Sequence, residues 1–277
     1  MQPDGIAVVT GASRGIGRAV ALELARRGFE VVATMREPEA GSELAEEARE
    51  ARGRLRVEKL DVARPETIDL PDELRVLVNN AGVEREHLPV EETPLEHWRD
   101  LFETNVFGLV EVTRRAIPKL RATGGGVICN IGSSSILAPV PFYAAYRASK
   151  AAVSALSMTL RAELAPQGIR VVEIMPGPVD SDMLRHSQET DIRPTGEPYQ
   201  SLAAHMNSNK SMVATMIQPT ADAARLIVDA ILDDGGPMRY GCDPMGAGLI
   251  DAWRQTSDEE MMRGMLAQLA PQPAAGE

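Results

Sequence analysis

Short apolar runs alternate with longer amphipathic segments along the chain. The runs are rich in Val, Ile and Leu and predict β-strands near residues 6–9, 30–34, 55–60, 76–82, 127–131, 170–175 and 238–240. Helices are predicted in the segments between them, including 39–52, 95–120, 220–232 and 248–269. Strands that alternate with helices are typical of an α/β fold, so we expect a central parallel sheet of about seven strands.

A glycine-rich turn, T-G-A-S-R-G-I-G at residues 10–17, joins the first strand to the first helix. Strand, glycine-rich turn and helix open a nucleotide-binding βαβ unit, and the helix N-terminus attracts a pyrophosphate. Gly11 allows the tight turn, Gly15 allows a phosphate to approach, and Gly17 lets the helix pack on the sheet. This unit predicts a doubly wound, Rossmann-type sheet that binds a dinucleotide.

The end of the second strand bears on which dinucleotide binds. NAD-specific sites of this kind carry an Asp or Glu there, which binds the ribose 2′-hydroxyl. Here the segment reads T-M-R, with Arg36 at its end and no carboxylate before Glu37. Arg36, and Arg14 inside the glycine turn, could pair with a 2′-phosphate. Two cations and no acid favour NADP, while NAD remains possible.

The most informative stretch covers residues 127–158. A strand ends at Gly132 and is followed by three serines, a proline-marked loop and an alanine-rich helix. On that helix Tyr146 and Lys150 lie one turn apart on the same face. The ammonium group is expected to lower the pKa of the phenol, which would then serve as an acid/base. Ser133, at the strand end, could hold a substrate oxygen, so the stretch predicts a proton-transfer site.

Two further polar residues lie at informative positions. Asp61 follows the third strand, where ligands bind in open α/β sheets. Asn105 lies in the middle of the helix predicted at 95–120, where a buried amide is costly unless it is hydrogen-bonded. Judged from the residues alone, Asn105 is either a structural bridge or part of a polar relay.

Composition narrows the class of protein. Hydrophobic residues make up 44% of the chain, enough for a sizeable core, and the net charge of −11 argues against nucleic acid and anionic membranes as partners. The two cysteines are interpreted as reduced thiols, Cys129 as a core residue. Neither a signal peptide nor an apolar run of the ~18 residues that span a bilayer is recognised. We expect a cytoplasmic protein without a metal site.

Together these segments resemble the short-chain dehydrogenase/reductase family. The matching motifs are T-G-A-S-R-G-I-G at 10–17, L-D-V at 60–62, N-N-A-G at 79–82, N-V-F-G at 105–108, Ser133, Y-R-A-S-K at 146–150 and P-G-P-V at 176–179. They occur in the family's order between residues 6 and 183. The resemblance implies a Rossmann fold, NADP or NAD as cofactor, a small-molecule carbonyl or alcohol substrate, and a homodimer or homotetramer.

The resemblance also implies a role for each matching residue. Tyr146 is the acid/base, Lys150 lowers its pKa and holds the nicotinamide ribose, and Ser133 positions the substrate oxygen. Asn105 becomes a relay residue that contacts Lys150 through water. The other residues implied at the cofactor are Gly11, Ser13, Arg14, Gly15, Ile16, Gly17, Arg36, Asp61, Val62, Asn80, Ala81, Gly82, Pro176, Gly177, Val179 and Ser181.

Three features depart from the family's pattern. Asp61 lies only 18 positions before Asn79, so the third crossover helix is expected to be truncated. Ser181 stands where many members carry Thr, and its hydroxyl can still bind the carboxamide. Residues 241–270 form a C-terminal extension that could line the substrate pocket and alter assembly.

No repeat or linker divides the chain, so residues 1–270 are expected to form a single domain. Residues 183–219 are polar and irregular, and a loop of this length predicts a lid. Beyond Met183, three methionines scattered through the lid would either contact an apolar substrate or fill the core beneath it: Met206, Met212 and Met216. The Pro/Ala-rich tail at 271–277 is expected to be disordered.

These observations predict an NADP-preferring oxidoreductase that interconverts a ketone and a secondary alcohol on a mostly apolar, bulky substrate. Hydride passes between the nicotinamide and the carbonyl carbon while Tyr146 exchanges the proton. The alternatives are an NAD-dependent alcohol dehydrogenase of the same family, an epimerase or dehydratase acting on nucleotide sugars, and a non-catalytic dinucleotide sensor. A sensor would not need Ser133, Tyr146, Lys150 and Asn105 together.

Overall fold

The fold is organised around one sheet in which every strand pair is parallel, seen in a computed structural model that describes residues 1–269. The strand order is β3-β2-β1-β4-β5-β6-β7. The strands are β1 Ile6–Val9, β2 Glu30–Met35, β3 Arg54–Lys59, β4 Leu74–Asn79, β5 Gly126–Ile131, β6 Ile169–Ile174 and β7 Arg239–Tyr240. Because the order reverses beside β1, helices cover both faces, and the predicted doubly wound α/β sheet is confirmed.

Eleven α-helices flank or extend this sheet within residues 1–269. They are α1 Gly15–Arg27, α2 Ser42–Glu47, α3 Leu95–Phe102, α4 Leu109–Ala122, α5 Ala144–Leu164, α6 Asp182–Glu189, α7 Gln200–Ser208, α8 Lys210–Ala214, α9 Thr220–Leu232, α10 Pro244–Gln255 and α11 Asp258–Leu269. A π-helical segment, Glu103–Gly108, joins α3 to α4, so the helix predicted at 95–120 is continuous but widened at its centre. None of these helices has the length and apolar character that crossing a bilayer requires.

Alternate strand residues form two separate cores, one on each face of the sheet. Val9 and Val78 pack with α1 and α9 on one face, whereas Val8 and Leu77 pack with α4 and α5 on the other. This division follows from the two-residue period of a strand, and it explains why the strands are apolar throughout. Cys129 belongs to the first core, as expected, and burial raises the pKa of its thiol to about 12.

Two crossover connections are short. The helix predicted at 39–52 is reduced to a 3₁₀ turn, Pro38–Gly41, and the six residues of α2. The connection from β3 to β4 contains a single 3₁₀ turn, Pro65–Thr67, as the short spacing from Asp61 to Asn79 predicted. The strand predicted at 76–82 begins earlier, at Leu74, and ends at Asn79.

The prediction of an irregular loop at 183–219 was wrong, because this segment contains most of α6 and all of α7 and α8. Helix α6 begins where the Ser181 hydroxyl accepts a hydrogen bond from the Leu184 N–H at 3.3 Å, with Asp182 in its first turn. This is an ordinary N-terminal cap. The long polar stretch obscured that signal.

The C-terminal helix predicted at 248–269 is two helices, α10 and α11, separated at Thr256. Helix α10 begins earlier than expected, because Asp243 caps it by accepting from the Gly246 N–H at 2.8 Å and Pro244 occupies its first position. The tail at 271–277 lies outside the described residues.

A buried ion pair ties the last two strands to the helices beside them. Glu173 of β6 is fully buried, and its Oε2 accepts hydrogen bonds from Arg239 Nε and from Ser154 Oγ, both at 3.0 Å. The Arg239 guanidinium also lies 4.9 Å from the centre of the Trp253 ring on α10. Burial raises the pKa of Glu173, and the arginine opposes that shift.

Replacing Arg239 by Met is expected to destabilise the protein by about 3 kcal/mol, because a buried carboxylate would lose its cation. Denaturant-induced unfolding at neutral pH measures the loss. The loss of unfolding free energy caused by the substitution should become smaller as the pH falls toward the ordinary pKa of Glu, because a protonated Glu173 needs no cation. The control is Arg49→Met, which breaks an exposed pair with Glu46 and should cost no more than about 1 kcal/mol. Equal losses for the two variants would contradict the structural role of the Glu173 pair.

Candidate active site

A cavity of about 540 Å³ lies at the carboxyl ends of the strands. Residues that follow each of β1 to β6 line it, and α10 contributes Met245 and Leu249. Parallel strands bring all their carboxyl ends to one edge of the sheet, which is where open α/β folds bind ligands. The cavity also brings together eighteen of the predicted site residues: Gly11, Ser13, Arg14, Gly15, Ile16, Arg36, Asp61, Val62, Asn80, Ala81, Gly82, Ser133, Tyr146, Lys150, Pro176, Gly177, Val179 and Ser181.

The glycine turn after β1 is shaped by contact with the end of β4. Gly11 has φ +66°, and a Cβ atom there would lie 2.8 Å from the Ala81 Cα. Asn80 Nδ2 donates hydrogen bonds to the carbonyls of Thr10 and Gly11 at 2.9 and 3.0 Å. Gly17 does not line the cavity; it packs under the Asn80 amide, where a side chain would clash. This open cradle in front of α1 fits a pyrophosphate.

One edge of the cavity carries the arginine that the sequence linked to a 2′-phosphate. Met35, Arg36 and Asp61 line this edge, at the ends of β2 and β3. Arg36 is exposed and forms no ion pair with any residue from 1 to 269, whereas Arg14 lies 3.6 Å from the Asp182 carboxylate. Arg36 is therefore the cation best able to pair with an added phosphate.

Three predicted catalytic side chains meet on one wall of the cavity. Ser133 lies two residues beyond the end of β5, and its Oγ lies 2.9 Å from the Ser135 Oγ. Tyr146 and Lys150 lie on α5, with the Lys150 Nζ 5.9 Å from the centre of the Tyr146 ring. Lys150 is buried and donates a hydrogen bond to the Ile131 carbonyl at 2.9 Å. Strand β5 and helix α5 thus hold the three groups rigidly.

The expected lowering of the Tyr146 pKa does not occur in this structure. Burial raises the pKa of Tyr146 above its ordinary value, the charge of Glu84 raises it further, and Ser133 opposes the shift. Burial lowers the pKa of Lys150 to about 8, although Glu173 and Glu84 act in the opposite direction. The expectation failed because a buried site disfavours both charged forms, and because Lys150 donates to a backbone carbonyl. Tyr146 is consequently a neutral phenol that can donate a proton.

Asn105 forms a bridge in the wall behind the site. Its Oδ1 accepts from the Val83 N–H at 2.8 Å, and its Nδ2 donates to the Val83 carbonyl at 3.0 Å and to Ser149 Oγ at 3.1 Å. The amide therefore ties the π-helical segment to the end of β4 and to α5. It does not line the cavity, and its role in a relay to Lys150 stays a prediction.

The remaining half of the cavity is mainly apolar. It is lined by Val140, Tyr143, Met183, Leu184, Val213, Met245 and Leu249. Met206, Met212 and Met216 do not line it, and the last two are exposed, so the helices between residues 183 and 219 contribute other apolar side chains instead. The C-terminal extension lines the pocket through α10, as the sequence suggested.

Sequence reasoning missed a polar group on the same wall, made by Glu84, His87, Tyr143 and Ser187. His87 Nε2 lies 2.7 Å from Glu84 Oε1, and the His87 ring stacks on Tyr143 with centres 3.6 Å apart. Glu84 comes two positions after Gly82, just beyond a predicted strand. A carboxylate at that position could have been recognised from the sequence as a candidate for ligand binding. The contact of His87 with Tyr143 joins residues far apart in sequence and left no local pattern.

The profile of the family described as short chain dehydrogenase matches residues 5–192. The chain belongs to the short-chain dehydrogenase family. The predicted family and the predicted oxidoreductase class, that of an NAD(P)-dependent dehydrogenase, are therefore confirmed.

Relatives in this family have varied names. The chain is 40% identical over 181 residues to the uncharacterized oxidoreductase YusZ of Bacillus subtilis, a match covering 62% of this chain and 64% of that one. It is 37% identical over 197 residues to estradiol 17-beta-dehydrogenase 2 of Rattus norvegicus, covering 66% of this chain and 50% of the relative. The chain thus spans less than two thirds of the length of both of these relatives.

A solved short-chain dehydrogenase from Burkholderia cenocepacia, in complex with NADP, is similar over nearly the whole chain. It has a TM-score of 0.75 and 27% identity, and the match covers 98% of this chain and 100% of that chain. The late helices and strand, where the sequence motifs are weak, therefore share the architecture of a known family member.

Proposed function

We propose that this protein is an NADP-preferring oxidoreductase that interconverts a ketone and a secondary alcohol on a mostly apolar substrate. The observation that carries the proposal is the meeting of Ser133, Tyr146 and Lys150 on one wall of a cavity whose opposite end is the glycine cradle. A dinucleotide lying along the strand ends would reach both the glycine cradle and these three side chains. The Rossmann-type fold alone would not support this proposal, because many functions share it.

The residues around the cradle fit the dinucleotide. Gly11 and Gly15 leave room for the pyrophosphate at the N-terminus of α1, and Lys150 would hold the nicotinamide ribose. Arg36 is available for a 2′-phosphate, which supports NADP over NAD, as does the NADP complex of the Burkholderia relative. An NAD-dependent alcohol dehydrogenase remains the alternative within the family.

The protein's own part in the reaction is to place the substrate and move a proton. When bound, the nicotinamide supplies or accepts the hydride. In reduction, Ser133 hydrogen-bonds the carbonyl oxygen and Tyr146 donates its proton to that oxygen as the carbon accepts hydride. The Lys150 ammonium then stabilises the phenolate that is left. A neutral Tyr146, partly buried in the cavity wall, suits the donating direction.

The substrate half of the cavity supports an apolar skeleton. Its lining of valine, leucine, methionine and tyrosine side chains offers a surface that excludes water from the reacting carbon. The segment between residues 183 and 219 supplies part of this lining, in line with a lid role. The homodimer or homotetramer and the cytoplasmic location expected above stay predictions.

The test of the proposed function is oxidation of NADPH, with NADH in parallel, against ketones from small diketones to steroid-sized compounds. We expect a subset of bulky apolar ketones to consume NADPH several-fold faster than NADH. The size of the best substrates then reports the dimensions of the pocket. NADPH binding without turnover of any ketone or secondary alcohol would overturn the proposal.

Tyr146→Phe is expected to retain cofactor binding and to lose at least a hundredfold in kcat, because only the proton donor is removed. Single-turnover kinetics and NADPH fluorescence titration measure the two quantities. Tyr240→Phe is the matched control, since that hydroxyl bonds Asp233 away from the cavity. Activity of Tyr146→Phe within a few-fold of the parent would contradict the acid/base assignment.

Arg36→Ala is expected to weaken NADPH binding roughly tenfold or more and to leave NADH binding nearly unchanged, since a hydrogen bond to a charged group contributes about 1.5–3 kcal/mol. Titration of both cofactors provides the comparison. Arg52→Ala serves as a control because Arg52 does not line the cavity. Equal weakening of the two cofactors would show that Arg36 does not bind the 2′-phosphate.

A further inference from the structure

The substrate half of the cavity contains a carboxylate that the Ser133, Tyr146 and Lys150 set does not use. Glu84 lines the cavity two residues beyond Gly82, and its side chain is only 13% exposed. His87 Nε2 lies 2.7 Å from Glu84 Oε1. The second oxygen, Oε2, accepts no hydrogen bond from any residue between 1 and 269. A carboxylate can accept about four hydrogen bonds, so Glu84 is only partly satisfied.

The position of Glu84 is fixed by aromatic stacking. The His87 ring lies against the Tyr143 ring, with centres 3.6 Å apart and planes inclined by 27°. The Tyr143 hydroxyl lies 3.2 Å from Ser187 Oγ on α6. This chain of contacts runs from the end of β4 to the segment that covers the substrate, and Glu84, Tyr143 and Ser187 all line the cavity.

The turn that presents Tyr143 is strained. Phe142 has φ +69°, a left-handed conformation that costs an ordinary residue about 1–2 kcal/mol. It is the one non-glycine residue with positive φ among the described residues. Its ring makes an edge contact with Tyr199, with centres 6.3 Å apart. Strain of this kind persists where the surroundings enforce it, and it is concentrated at ligand sites.

Glu84 also acts on the groups that carry the chemistry. Its charge raises the pKa values of Tyr146 and Lys150, and all three side chains line the same cavity. A purely structural carboxylate serving His87 would need neither access to the cavity nor a free oxygen. The geometry therefore favours a ligand as its missing partner.

We propose that Glu84 is a specificity residue that binds a hydrogen-bond donor on the substrate, close to the reacting carbon. The substrate class is then a hydroxy- or amino-substituted ketone or the corresponding alcohol, and substrates with an anionic group at that place are rejected. The inference rests on the proposed function. Hydroxyl and ammonium groups share the donor chemistry, and only the ammonium adds charge attraction to the carboxylate.

Matched ketones test this inference. In the first series, the carbon next to the carbonyl bears hydrogen, hydroxyl or ammonium. In the second series, the carbon two positions from the carbonyl bears hydrogen, hydroxyl, ammonium or carboxylate. We expect kcat/KM with NADPH to be at least tenfold higher for a donor-bearing ketone than for the hydrogen parent, and lower than the parent for the carboxylate. Equal rates across both series would overturn the role of Glu84 and leave the reductase proposal standing. Absence of turnover for every ketone would overturn both.

Two variants separate the donor types. Glu84→Gln removes the charge but keeps a carbonyl acceptor, so a preference for ammonium should fall at least tenfold while a preference for hydroxyl falls less. Glu84→Leu should abolish both preferences and relieve the rejection of carboxylates. NADPH titration checks that each variant is folded and binds cofactor. The control is Glu86→Gln, whose exposed side chain does not line the cavity. Unchanged preferences in Glu84→Leu would overturn the proposal.

Discussion

All seven strands point the same way, and this constraint decides where chemistry can occur in the molecule. The carboxyl ends of the strands gather at one edge, so residues from distant parts of the chain meet there without any loop reaching across the fold. The junction of β1 and β4 shows how closely the edge is built. Thr10 Oγ1 accepts from the backbone N–H groups of Asn80 and Ala81 at 3.0 and 3.1 Å. The glycine turn can approach Ala81 only because Gly11 has no side chain.

The same burial that makes the edge rigid sets its proton chemistry. Burial opposes the charged form of each side chain, so it raises the pKa of the Tyr146 phenol and lowers the pKa of the Lys150 ammonium. With its pKa near 8, Lys150 changes charge close to neutral pH. Helical spacing predicts that the two side chains share a face, but it does not say how much water reaches them. The direction of the tyrosine shift therefore required the structure.

Much of the fold and site could be predicted from local patterns, and the failures share a physical cause. The glycine turn, the strand ends and the Tyr146–Lys150 pair each lie within a short stretch whose backbone geometry follows from its residues. The helices α6 to α8 are short, with eight, nine and five residues, so each shows too few turns for a helical period to stand out from a polar loop. The cap at Ser181 was the clearest local signal. The stacking of His87 on Tyr143 depends on tertiary packing that no local pattern contains.

Two acidic residues act on Lys150, one within β6 and one beyond the end of β4. Under the role proposed for Glu84, this arrangement would link recognition to proton supply. Glu173 of β6 is paired with Arg239 and still raises the pKa of Lys150. Glu84 follows β4 and faces the cavity, where a bound substrate would alter its surroundings. While its charge is exposed to the site, Glu84 favours a proton on both Lys150 and Tyr146. An ammonium group on a substrate bound as proposed would offset that charge and ease the release of the tyrosine proton. Binding the correct substrate would then prepare the acid that completes the reduction.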